Sequence, residues 1–378
     1  MKMLFLKENC LCRPLGPSSP GCRLTRRAQC YIFGLFINLF LFCNVFLLQS
    51  WPRWKDATLE YPNGQSHLVS RSSEMTQDDE YRILELENEN LVKVLGYCVP
   101  QEQYNGDDVT LVSLITELGE TIDLIRLLPM SWEDRLRISY DLTKLIHFMS
   151  HSPHGSIVMN DFRHQQFVLV KGQLKLSDID DIGIGEPQCN SLNDCAVHST
   201  SVSLQFTAKI PCQNGRCVGL NEKKNIFNAG RHFIMFRLPH GAPDLLRPIL
   251  TDVVIGFTNL TMNADTLLAN MEKAVNLYKS GAYLNRTSPV NTTYKEMKQY
   301  DLPGIHDYRC WASLSGTGCA LSVFDRKEAE DMCDTDPECH GFVMTEETTW
   351  TGRKIVHFKN NVSIPVRNPV TNLYVRPP

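Results

Sequence analysis

Apolar positions along this chain fall into one long unbroken run near the start and shorter stretches of period two or period 3.6 after it. The run, Tyr31 to Leu48, is interrupted only by Asn38 and Asn44, and as a helix it would extend roughly 27 Å, enough to cross a hydrocarbon core. Residues 49–78 are polar, with Pro52, Pro62, Asn63 and Gly64 and no periodic face, which predicts a linker. A helix is predicted over Glu80–Glu87 with Ile83 and Leu84 inward, then strands over Asn90–Cys98 and Leu111–Leu118. Ser131, with Asp134 three residues on, is the N-cap signal of a long helix. Trp132, Leu136, Leu142, Leu145, Ile146 and Met149 give that helix one buried stripe, ending near Pro153. Phe167–Val170 and Leu174–Leu176, joined by Lys171-Gly172-Gln173, read as a β-hairpin. Helices follow over Glu222–Leu238 and over Asp265–Lys279, the latter with Leu268, Met271, Val275 and Tyr278 inward and a stop at Gly281. Asp325 and Glu328 cap a last helix ending at Cys333, and Cys339–Met344 reads as a strand.

Charge and cysteine usage place these elements. The formal net charge of the 378 residues is -4, yet residues 1–50 hold six Lys/Arg against one Glu. That bias predicts a type II signal anchor at 31–48, with residues 1–30 cytosolic and the remainder lumenal. The competing reading is a cleaved signal peptide, for which Gln49-Ser50-Trp51-Pro52 is a poor site. No basic stripe suggests a nucleic-acid partner. Beyond the apolar run stand Cys98 and two quartets: Cys189, Cys195, Cys212, Cys217, and Cys310, Cys319, Cys333, Cys339. Their spacing lacks paired C-x2-C zinc motifs, so two disulfide-stapled regions are expected, each with three possible pairings, and Cys98 is left over. Four glycosylation acceptors, Asn259, Asn285, Asn291 and Asn361, lie on the presumed lumenal side.

Candidate chemistry sits around the hairpin. Asp161, Arg163 and Gln166 precede it and Asp178 follows it. Acid, cation, amide, strand, turn, strand, acid is the order of a protein-kinase catalytic loop and its metal-binding acid. Gln166 stands where Asn is usual, and a Gln oxygen remains a hard neutral ligand. A surface hairpin with scattered acids is the alternative. Glu117-Leu118-Gly119 ends its strand as a kinase hinge does, Asp79 or Glu80 stands near the acid of the small-lobe helix, and Asn225 occupies a position where kinases carry Asp. The region Gly183–Gly219 holds the first quartet and predicts a cystine-pinned loop near the substrate side.

SWEDR (131–135), ITELG (115–119), DFRHQQFVLVKGQLKLSDIDD (161–181), NEKKN (221–225), LPHGAP (238–243), YRCW (308–311) and TTWTGR (348–353) together resemble the vertebrate lonesome kinase family, the extracellular tyrosine-protein kinases of the secretory pathway. The similarity covers roughly residues 79–378. It implies an α+β, protein-kinase-like fold with a truncated small lobe and a mainly helical large lobe within 79–304, and a Cys-rich module over 305–378 that weakly resembles PAN or apple modules. It further implies catalytic Asp161 and Arg163, cofactor contacts from Glu117, Gln166 and Asp178, metal held by Gln166 and Asp178, and ATP with Mg or Mn. Secreted and lumenal protein substrates and a Golgi or secretory-pathway address go with it.

Upstream, the pattern departs from a kinase. Between Trp51 and Asp79 no G-x-G-x-x-G occurs, and Lys55 is the lone lysine, so a three-stranded small-lobe sheet is not expected there. Two readings follow: a shortened secretory tyrosine kinase, or a membrane-anchored pseudokinase that binds partners. The missing lysine and lid predict very weak or no transfer by this chain.

Overall fold

The computed structural model describes residues 10–14, 56–60, 66–72, 86–100, 112–122, 127, 129–178, 181–198, 207–235, 237–284, 293–310, 313–314 and 317–377. The expected anchor at 31–48, most of the expected helix at 80–87, and Asn285 and Asn291 lie outside the described residues. Among the described residues no helix is long and apolar enough to cross a membrane. The chain forms two compact units, the first made of residues 1–121, 166–171 and 175–182, the second of 122–165, 172–174 and 183–378.

The first unit is built on a five-stranded antiparallel sheet, in the order Cys10–Pro14, Val94–Pro100, Val112–Thr116, Ser66–Ser72, Asp56–Glu60. Two of these strands come from the stretch expected to be a linker. Asp56-Ala57-Thr58-Leu59-Glu60 alternates polar and apolar over five residues, too short a window to register as a periodic face, and pairs with Ser66–Ser70. Asn63-Gly64 lies between them in the sequence, outside the described residues. The Cys10–Pro14 strand sets Cys12 opposite Cys98. That pairing runs against the expectation of residues 1–30 across a membrane from residue 49 onward, because hydrogen-bonded neighbours in a sheet share one compartment. The predicted hairpin forms: Phe167–Val170 and Gln173–Leu176 lie in a three-stranded sheet with Glu120–Thr121. Lys171 and Gly172 both take positive φ, 52° and 76°, as a two-residue turn matched to strand twist requires.

Among its described residues the second unit carries the α-helices α1 Trp132–Ser150, α2 Leu220–Ala229, α3 Arg247–Asn259, α4 Ala264–Lys279 and α5 Arg326–Thr335. Ser131 Oγ accepts the Asp134 N–H at 3.1 Å, and the whole predicted stripe of α1 is buried. α4 buries Met271, Val275 and Tyr278 as expected, with Leu267 inward in place of Leu268. The helix expected to reach Leu238 ends at Ala229 in a π-turn over Gly230–Ile234. There α3 comes so close that a Cβ on Gly230 would stand 3.1 Å from Phe257. α3 was not expected, because Ile255 on its outer face blurs the apolar stripe.

A second five-stranded antiparallel sheet runs Lys295–Asp301, Val366–Val375, Gly341–Thr348, Lys354–Lys359, Cys319–Val323. It begins at Lys295, ahead of the boundary expected at 305. Phe342, Phe358, Tyr374 and Tyr294 form its core with Cys333 and Cys339 of α5 and the turn after it. Both quartets are closed within themselves, as Cys189–Cys212, Cys195–Cys217, Cys310–Cys319 and Cys333–Cys339.

Candidate active site

The approach to Asp161 is a short buried strand, Ile157–Met159, paired with Ile182–Ile184. Its backbone is read by one side chain of α2. Asn225, fully buried, accepts the Met159 N–H on Oδ1 at 3.0 Å and donates from Nδ2 to the Ile157 carbonyl at 2.8 Å. An amide supplies the one acceptor and one donor that this strand needs; a carboxylate could only accept. One turn earlier Asn221 donates to Ser156 Oγ at 3.0 Å and to the Gly185 carbonyl at 2.8 Å. Gly219, at φ 88°, precedes α2 and has no side chain to cap it. Glu186 does so from outside: Oε2 accepts the Leu220 N–H at 3.1 Å, and Oε1 accepts the Ser156 hydroxyl at 2.9 Å. Strand and helix are thus locked together two residues before Asp161.

Asp161 is half-buried and forms an ion pair with Arg163, whose side chain is 60% exposed. The two predicted catalytic residues therefore meet. Between them Phe162 is buried and lies edge-to-face with Phe233 at 6.3 Å. The His232 carbonyl accepts from His164 Nε2 at 2.8 Å and from Arg237 at 2.6 Å. Burial, then neighbouring Arg231, holds the His232 imidazole down to about 4, and burial also lowers His164. Next to the loop, then, the two imidazoles sit beside the cations Arg231 and Arg237.

In the first unit the hairpin brings Gln166 and Asp178 together through the backbone. The Gln166 carbonyl accepts the Ser177 N–H at 2.8 Å, the Ser177 hydroxyl at 3.0 Å and the Asp178 N–H at 3.3 Å. Gln166 is buried and Asp178 half-buried. An amide oxygen and a carboxylate are hard oxygen donors, a set that fits Mg or Mn. Glu117 has structural partners: Oε1 accepts the Lys93 N–H at 2.9 Å and the Lys175 ammonium at 2.5 Å, tying the end of one strand to the hairpin. Asn259 and Asn361 are exposed, as glycosylation acceptors must be.

Two of the sequence motifs turn out to meet each other away from the loop. Glu133 of SWEDR is buried, and its carboxylate accepts from the hydroxyls of Ser322, Thr349 and Thr351, the last two in TTWTGR. Arg353, 2% exposed, pairs with Glu328 at 2.7 Å and lies 4.3 Å over the Tyr278 ring. These residues join α1 and α4 to the C-terminal sheet. Sequence reasoning missed them, along with Asn221 and Glu186, because each partner is far away in the chain; the polar letters inside two otherwise apolar contexts were the available signal.

No protein-family model matches the chain. It is 42% identical over 296 residues to the human "Extracellular tyrosine-protein kinase PKDCC", a match taking in 77% of this chain and 58% of that protein. The chain thus spans little more than half the length of that relative. Over the matched stretch, which contains the Asn225 bracket, the Asp161 loop and the hairpin, the chain belongs to the vertebrate lonesome kinase family.

Proposed function

We propose that the chain acts as a secretory-pathway protein kinase of the extracellular tyrosine kinase type, moving a phosphoryl group from ATP to tyrosines of lumenal or secreted proteins. The observation that carries this reading is the double-ended hold of Asn225 on Ile157 and Met159, which fixes the backbone that presents Asp161. A surface hairpin with scattered acids would have no use for a buried amide spent on that strand. Asp161 orients the tyrosine hydroxyl and takes its proton. Arg163, already on the Asp161 carboxylate, supplies positive charge for the transferring group. Gln166 and Asp178 would hold the divalent metal, which when bound neutralises phosphate charge. A secretory-pathway or Golgi address remains part of the proposal, on the strength of the likeness to an extracellular kinase; a membrane-crossing 31–48 does not, since Cys10–Pro14 pairs with Val94–Pro100.

A second reading, a non-catalytic binding module, is favoured by one observation. The strands Asp56–Glu60 and Ser66–Ser72 supply small-lobe sheet but carry no lysine, the residue that pairs nucleotide phosphates in protein kinases. Purified chain incubated with ATP, Mg or Mn and a tyrosine peptide separates the two. Transfer lost in both Asp161→Ala and Asp178→Ala supports the kinase. Nucleotide binding without transfer, or neither, supports the module.

A further inference from the structure

Far from any role given above, the last turn of α1 and the first turn of α4 present three ligand-type side chains to one point. His147 lies in the last turn of α1 and His151 is the residue that caps it, their rings stacked with centroids 4.4 Å apart. Asp265 is the second residue of α4. Its Oδ1 lies 3.0 Å from His147 Nε2 and 3.4 Å from His151 Nε2. The three ligand atoms all fall within 4.8 Å of one another.

Two features suit this group to a metal ion. His151 Nδ1 lies 2.9 Å from the His147 carbonyl, which can only accept, so Nδ1 carries the proton. In the neutral ring Nε2 is then a bare lone pair, and it points at a carboxylate oxygen. Two acceptors facing each other at 3.4 Å are repulsive unless a proton or a metal ion lies between them. The same Nδ1–H to carbonyl bond is how a metal-ligating histidine is usually oriented and its tautomer selected. The two separations from Asp265, 3.0 and 3.4 Å, also suit a small tetrahedral ion, whose ligand distances near 2.0–2.1 Å put neighbouring ligand atoms about 3.3 Å apart.

We propose that His147, His151 and Asp265 form a divalent metal site, selective for zinc-like ions, that clamps α1 to α4. Two imidazoles and one carboxylate are a borderline donor set, matched to Zn and poorly matched to Mg or Ca. All three side chains are partly open to solvent, at 35%, 51% and 58% exposure, so the ion can enter without unfolding and water can complete its coordination. The clamp would join chain positions more than a hundred residues apart, at the end of α1 that leads through residues 151–156 into the strand before Asp161.

The test uses the tag-free chain, folded and oxidised, titrated with zinc chloride against a chromophoric zinc chelator. One equivalent is expected to bind, and the thermal midpoint is expected to rise with zinc. His151→Ala and Asp265→Ala should each weaken binding at least about tenfold and abolish the zinc-dependent midpoint shift, while their metal-free midpoints stay near that of the parent. Asp178→Asn should leave the zinc equivalent intact, separating this site from the candidate catalytic metal. Magnesium at the same concentrations should compete weakly. Equal zinc affinity in the parent and in the His147→Ala, His151→Ala double variant would overturn the proposal, as would a zinc equivalent lost in Asp178→Asn alone.

Discussion

The backbone before Asp161 and the joint between α1 and the C-terminal sheet are both buried polar constructions, yet they use opposite materials. At the first, Asn225 and Asn221 are neutral amides whose donors and acceptors match the strand ends they face. At the second, Glu133, Arg353 and Glu328 are full charges held by hydroxyls, each other and two tyrosine rings. A neutral amide costs less to desolvate than a charge, so its loss is expected to cost less than the loss of a buried ion-pair member. A buried charge network is different: removing one member strands the others. Both hold their elements in place, and the joint binds the sheet into the lobe at the larger energetic stake. The sheet is accordingly better regarded as part of the large lobe than as an appended module.

The strongest way to break this contrast is Arg353→Ala. It leaves Glu328, whose side chain is 12% exposed, without its cation and is expected to cost about 3–5 kcal/mol, read by denaturant unfolding. A loss below about 1 kcal/mol would mean the joint behaves like a surface pair.

Opening the Cys189–Cys212 bridge by a double Ser substitution comes next. Its 23-residue separation predicts a loss of about 3 kcal/mol, against about 2 for the 6-residue Cys333–Cys339 bridge. Equal losses would show that packing, rather than chain closure, sets the contribution of each bridge.

Asn225→Ala removes two hydrogen bonds from a buried strand and should cost roughly 1–3 kcal/mol in stability. If transfer is present, the rate should fall further than that loss alone explains, with little change in KM for ATP. An unchanged rate in folded protein would remove the positioning role argued above.

The smallest effect concerns pH. The unfolded chain protonates His232 near 6.5 and the folded chain only near 4, so the unfolded state holds more protons in that window. Stability should therefore rise with pH from about 4 to 6.5 and be lost on acidification, by less than about 2 kcal/mol because the ring is partly solvated. His232→Gln should flatten that slope. A slope that persists in the variant would assign it to another group.

Local signals settled a good deal. The cap at Ser131, the stripe of α1, the turn at Lys171-Gly172, the helix cap at Asp325 and the confinement of disulfides to their quartets were all legible, because each depends on residues close in the chain. So was the order Asp161, Arg163, Gln166, Asp178, since a hairpin carries its own geometry. Beyond that reach, tertiary structure decided. Which cysteine of a quartet meets which, the recruitment of Asp56–Glu60 and Ser66–Ser72 into a sheet, the early start of the C-terminal sheet at Lys295, and the meeting of Glu133 with Thr349 and Thr351 all depend on partners tens to hundreds of residues away. Short strands have no periodicity of their own to announce them, and a buried polar residue reveals its purpose only when its partner is in place.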